Sequence, residues 1–110
     1  MEKKIEAYMP LSETAYYILL SMNEPRHGYG IIKYVEKLTN GRIILGSGTI
    51  YTTLGKMKRD KFIEVFQDKD RKTIYEITEE GKILLDLEMK RIKKVYQDTV
   101  IQEALFNENN

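Results

Sequence analysis

The hydrophobic repeat of this chain changes period at Asp60 and changes back at Thr78, and that double switch limits the fold more than any other feature. Upstream of Asp60, apolar residues recur at helical spacing. Ala15, Ile18, Leu19 and Met22 form one set, with Ser12 placed as an N-cap and Asn23-Glu24-Pro25 as the stop. Ile31, Ile32, Val35 and Leu38 form a second set, led in by Arg26-His27-Gly28-Tyr29-Gly30 and ending near Asn40-Gly41. Residues 42–45 read as a short β-prone run closed by Gly46. Ser47 then caps a third helix over residues 48–60, in which Ile50, Leu54 and Met57 fall at i, i+4 and i+7.

After Asp60 the pattern alternates. Residues 62–67 and 73–77 read as two strands joined by the polar, turn-forming Asp68-Lys69-Asp70-Arg71-Lys72, a hairpin with a charged tip. Thr78 followed by Glu79-Glu80 is a helix start, with a capping hydroxyl and acids in the first turn. Residues 107–110 read as a frayed tail. The order is helix, helix, short strand, helix, hairpin, long helix. This predicts a mainly α chain with a small β-hairpin: a winged helix-turn-helix over residues 1–78, then a C-terminal dimerisation helix over residues 79–110.

Composition removes several function classes. The chain has 110 residues, no cysteine and one histidine, so thiolate zinc sites, His-pair metal sites and thiol chemistry are unavailable. No nucleophile–base pair is apparent, and neither an enzyme nor a cofactor is expected. His27, beside Gly28 at a helix start, reads as a turn or capping residue. The tyrosines of the first third read as core or interface filler, with a lining for an aromatic effector as the other reading. No apolar run approaches the ~20 residues of a membrane span, and the charged Met1-Glu2-Lys3-Lys4 start is unlike a signal peptide, so a cytoplasmic location is expected.

The net charge of +1 hides a division. Residues 42–72 carry eight basic against four acidic side chains, whereas residues 76–110 carry five against eight. A basic middle suits a polyanion held on one surface. In a helix-turn-helix the second helix enters the major groove. With Ile50, Leu54 and Met57 turned inward, Thr49, Thr52, Thr53, Lys56 and Arg59 face outward and Tyr51 flanks them. Short threonines suit close approach to base edges, and Lys56 and Arg59 suit phosphates. Ser47, Gly48 and the first free backbone N–H groups form a phosphate site at the helix start. At the hairpin tip Lys69, Arg71 and Lys72 would reach backbone or minor groove, opposed by Asp68 and Asp70.

A last helix over residues 79–105 would be about 40 Å long, more than the preceding body can cover. Leu85, Met89, Ile92, Val95, Tyr96 and Val100 therefore call for a second copy of the chain, unless the helix breaks near Gln97-Asp98 and folds back. The partners expected are double-stranded DNA, a second copy, and a small-molecule effector of unidentified chemistry. The other reading of the same fold is a protein–protein interaction module without specific DNA binding.

Three strings in order carry a family resemblance: Pro25-Arg26-His27-Gly28-Tyr29-Gly30-Ile31, then Leu45-Gly46-Ser47-Gly48-Thr49-Ile50-Tyr51-Thr52-Thr53-Leu54, then Arg71-Lys72-Thr73-Ile74-Tyr75-Glu76-Ile77-Thr78-Glu79-Glu80-Gly81. Together they resemble the PadR family of bacterial transcriptional regulators, in the short subfamily with one C-terminal helix. The resemblance implies a winged-helix homodimer, usually a repressor, with Gly48, Thr49 and Tyr51 at the DNA surface. Ser47 stands where proline is common and Lys61 where glycine is usual. The absence of tryptophan departs from multidrug-binding relatives that sandwich flat drugs between tryptophans.

Overall fold

The computed structural model describes residues 2–108. Its helices are α1 (Glu2–Tyr8), α2 (Glu13–Leu20), α3 (Gly28–Leu38), α4 (Ser47–Arg59) and α5 (Glu79–Glu108). Its strands are β1 (Arg26–His27), β2 (Ile63–Lys69) and β3 (Lys72–Ile77), in an antiparallel sheet of order β1-β3-β2. This is the winged helix-turn-helix arrangement: α2, α3 and α4 form the helical body, β2 and β3 the wing, and α5 the arm.

The caps account for most of the helix ends. Ser12 Oγ accepts from the Ala15 N–H at 3.1 Å, as the sequence predicts. His27 Nδ1 accepts from the Gly30 N–H at 3.2 Å, so the lone imidazole is the cap of α3. α3 and α4 close identically. Gly41 N–H reaches the Glu36 carbonyl at 2.8 Å and Asn40 N–H that of Lys37 at 3.2 Å; Phe62 N–H reaches Met57 at 2.9 Å and Lys61 N–H reaches Lys58 at 3.1 Å. Each is a Schellman end that needs a left-handed residue, filled by Asn40 (φ 52°) and Lys61 (φ 66°). At α5, Thr78 Oγ1 accepts from Gly81 N–H at 3.1 Å.

Ile18, Leu19, Ile31, Val35, Ile50, Leu54, Met57, Phe62 and Leu84 are buried in one core. Each such side chain contributes about 1.5–3 kcal/mol on burial, so the three from α4 fix which way that helix faces. α1 was not foreseen. It docks through Ile5, which is buried, and through the Tyr8 ring, edge-on to Phe62 at 4.5 Å. Lys4 adds a hydrogen bond to the Asp60 carbonyl at 2.9 Å and an ion pair with Glu80.

Four expectations are corrected. Residues 42–45 are not a strand, because the edge of β3 is already taken by Arg26–His27, paired with Tyr75 and Ile74. Arg42 instead bonds the Tyr17 hydroxyl at 2.6 Å. Gly46, not Ser47, is the N-cap of α4: its carbonyl accepts from Ile50 N–H at 3.0 Å, which leaves Ser47 as the first helical residue and Asp60 as the C-cap. The wing is longer than read and its turn tighter, with Lys69 paired to Lys72 around Asp70 and Arg71. Both turn residues have positive φ (56° and 64°), the type I′ geometry that matches the twist of paired strands. Of the tail, Asn107 and Glu108 are helical, and residues 109–110 lie outside the described residues.

α5 runs for 30 residues without a break at Gln97-Asp98, about 45 Å of helix. The side of α5 buried in this chain is distinct from the stripe assigned to a second copy. Gly81, Leu84 and Glu88 are the buried residues, while Leu85, Met89 and Ile92 are half-buried. Glu88 is held by the Leu11 N–H and by Arg91 Nε, with Arg91 Nη2 at 3.3 Å. Burial pushes its carboxyl up, but the Arg91 and Leu11 bonds outweigh that and hold it below the ordinary carboxylate value. The base of the arm is thereby locked to the start of α2.

Candidate nucleic-acid interface

α4 carries no acidic residue and ends in Lys56, Lys58 and Arg59. Its core-facing side is Ile50, Leu54 and Met57. At about 100° per residue, the line opposite that side runs through Gly48, Thr52, Gly55 and Arg59. All four are exposed, as are Ser47, Thr49 and Lys56. The two glycines have open space where a Cβ would stand, so no contact within the chain requires them. Because the N-cap is Gly46, no side chain occupies the first free N–H groups of α4. Thr53 differs from the other threonines. It is half-buried and lines a cleft of about 450 Å³ between α4 and the α1–α2 link, together with Tyr8, Leu11 and Lys56.

Tyr51 is placed by a close approach. A Cβ on Gly28 would stand 2.9 Å from the hydroxyl end of the Tyr51 ring, so that end sits against the start of α3 where residue 28 is glycine. Arg59 is less free than its position suggests. Its guanidinium grips Asp60 through Nε at 3.2 Å and Nη2 at 2.9 Å, and the Tyr8 hydroxyl donates to the same carboxylate. Arg59 and Tyr8 hold Asp60 down at about 2. Burial, reinforced by Asp60, pushes the Tyr8 hydroxyl up to about 12. On the wing, Lys69, Arg71 and Lys72 are exposed around the I′ turn, together with Asp68 and Asp70. The structure thus brings Tyr51, Arg71 and Lys72 to one cleft between α3, α4 and β3, with Lys69 in the same exposed turn.

Beyond the body, α5 exposes apolar side chains with none of the body's described residues packed over them. Val95, Tyr96 and Val100 are exposed, as are Ile101, Leu105 and Phe106, which lie further along the same helix. Leu85 instead packs partly against the chain's own core.

A family model described as the transcriptional regulator PadR-like family matches residues 3–87. The chain belongs to this family. The family's own description is that of transcriptional regulators. The chain is 29% identical over 69 residues to the transcriptional regulator YqjI of Escherichia coli (strain K12), covering 63% of this chain and 33% of that protein. It spans about a third of the length of the curated relatives it matches. Two solved structures show the same fold. A transcriptional regulator from Clostridium thermocellum superposes with TM-score 0.67 at 22% identity, over 90% of this chain and 94% of that one. A PadR family regulator from Clostridium difficile R20291 gives 0.64 at 22%, over 81% and 99%. Among the described residues of this PadR-like chain, no helix is long and apolar enough to cross a membrane.

Sequence reasoning missed Gly55 and Lys58 on the exposed face of α4. The signal for Gly55 was present: a glycine in mid-helix costs about 1 kcal/mol relative to alanine and so calls for a reason.

Proposed function

We propose that this PadR-like chain is a cytoplasmic repressor that binds duplex DNA as a homodimer at a pseudo-palindromic operator. The observation that carries the reading is the outward face of α4, where Gly48, Thr52 and Gly55 make a line low enough for a groove floor, flanked by Thr49 and Lys56. Thr49 and Thr52 would read base edges, with a hydroxyl for a donor or acceptor and a methyl for thymine. Ser47 and Gly48 N–H groups, Lys56 and the wing cations Lys69, Arg71 and Lys72 would hold phosphates. Arg59 shares its charge with Asp60 and contributes less. α5 supplies the second half: its exposed residues Val95, Tyr96 and Val100, with the half-buried Ile92, would pair two copies and hold two α4 helices about one DNA turn, ~34 Å, apart. An effector would relieve repression by favouring a dimer whose α4 helices are mis-spaced.

Selection of duplexes from random genomic fragments by the purified protein tests this directly. Inverted half-sites one helical turn apart are the expected product. Affinity should fall with salt by about 0.9 log units per log unit for each phosphate neutralised. Ile92→Asp combined with Tyr96→Asp should give monomers with little operator affinity. Recovery of no preferred duplex, or binding insensitive to salt, overturns the reading and favours a protein–protein module.

A further inference from the structure

A cleft of about 470 Å³ lies between the start of α3, the start of α4 and the wing side of β3. Its walls come from three elements far apart in sequence. Gly28 and Tyr29 belong to α3, Tyr51 to α4, and Thr73 and Tyr75 to β3, with Arg71 and Lys72 at the rim. The chemistry of this lining is one-sided. Three phenols, a threonine hydroxyl, a guanidinium and an ammonium can all donate hydrogen bonds, and no carboxylate lines the cleft. His27 also lines it. Its Nδ1 is spent as acceptor for Gly30 N–H at 3.2 Å, so the ring has only an Nε2 N–H left to offer. Asp68 stands across from Thr73 on β2, outside the lining.

A pocket so rich in donors, with two cations and no anion, is built for an oxyanion. Position narrows the source. The cleft opens between the N-terminal end of α4 and the wing, the two parts assigned above to groove and backbone. A duplex seated on both would run its backbone across the opening. We infer that this cleft holds one backbone phosphate of the bound duplex in each half-site, with Tyr29 and Tyr75 as contact residues that lock the wing to α4. The inference rests on the DNA-binding reading above and assigns a site within it. Tyr51 has its place here through its packing on Gly28, and the Tyr75 hydroxyl, deprived of water by burial and set near Tyr51, stays protonated and able to donate.

The test pairs conservative variants with a neutralised backbone. Tyr29→Phe and Tyr75→Phe keep the rings and remove only the hydroxyls, and thermal melting checks that each still folds. Each should weaken the duplex recovered by selection by about tenfold, the usual scale for a hydrogen bond to a charged group, equally for every sequence that the protein binds. Methylphosphonate is then placed at each backbone position in turn. For the wild type, one position per half-site should cost affinity that the double Phe variant has already lost, so that the two changes together cost less than their product. Unchanged affinity in both Phe variants overturns the inference, as do losses that simply multiply at every phosphate. Inorganic phosphate and ADP, titrated alone, form the second arm. Binding of either that the Phe variants abolish, with duplex affinity unchanged, reassigns the cleft to a soluble anion and overturns the backbone assignment. A wild type that binds no duplex overturns the DNA reading itself, which the affinity of the unmodified duplex reports separately.

Discussion

Gly81, in the first turn of α5, passes directly against the carbonyl oxygen of Phe62, so closely that a methyl group there would overlap the backbone. The same carbonyl accepts the Thr78 N–H at 3.0 Å, so it cannot move aside without losing a bond at the arm's own N-cap. Gly81→Ala should therefore cost about 2–3 kcal/mol, the upper part of the usual overpacking range. For a chain of this size that is a fall in melting temperature of about 10 °C or more. Differential scanning calorimetry measures it, and a fall of only a degree or two would mean that the arm can slide on the body.

Lys61 holds the left-handed position that ends α4, with φ 66°. A residue with a Cβ is strained there by about 1 kcal/mol or more, and among the described residues the lysine side chain makes no bond that offsets it. The Thr78 hydroxyl bonds the Lys61 carbonyl at 2.7 Å, a contact with the backbone that any residue would keep. Lys61→Gly should stabilise the protein by about 0.5–1 kcal/mol after allowing for the greater freedom of glycine in the unfolded chain. Urea titration with an unchanged slope and a higher midpoint is the expected result; a lower midpoint would show that the turn does not depend on relieving this strain.

Where hydrophobic period and cap chemistry agreed, the fold was legible from residues alone. Ile50, Leu54 and Met57 named the inward face of α4, and Thr78 with Glu79 named the start of the arm. What escaped was set by pairing across distance. Nothing local in Arg26–His27 says strand, since it becomes one only by hydrogen bonding to Tyr75 and Ile74 about fifty residues later. Residues 42–45 look like a strand, but the edge of β3 is taken by Arg26–His27. α1 was hidden because seven residues hold too few apolar side chains to show a period; Ile5 and Tyr8, three apart, were its only trace. Glu88, a charged residue, takes a core place on α5 that no apolar pattern marks and that only Arg91 and the Leu11 N–H make tolerable. The outward threonines of α4 were legible, but the pocket lined by Tyr29 and Tyr75 was not, for it joins three separate elements.

Gly55 separates stability from function. Its Cβ position is open, so Gly55→Ala adds a methyl that meets nothing in the chain. The helix should gain about 1 kcal/mol from the substitution. If α4 lies in the groove with Gly55 at its closest approach, the same methyl should lower duplex affinity. Melting curves and anisotropy titrations on one preparation read both effects. A variant that melts higher and binds as before would remove Gly55 from the contact line and turn the assigned face of α4 toward Lys58.

The Tyr8–Asp60 bond ties α1 to the end of α4 and should shape stability at both ends of the pH scale. Asp60 has its folded value at about 2, below the ~3.9 of an unfolded chain. Its contribution is therefore complete above about 4 and is lost as pH falls toward 2. Tyr8 has its folded value at about 12, above the unfolded ~10. Its contribution is complete below about 10 and is lost as pH rises toward 12, because the folded state resists a deprotonation that the unfolded chain accepts freely. Tyr8→Phe removes the second effect and weakens the first, leaving Arg59 and the nearby Lys4 charge to hold Asp60 down. Burial also raises Tyr16 and Tyr75, so the alkaline decline should become shallower in this variant rather than vanish. Melting temperature followed across the pH range for wild type and Tyr8→Phe gives the answer, and superimposable alkaline limbs would show that the Tyr8 hydroxyl is not held by Asp60 in solution.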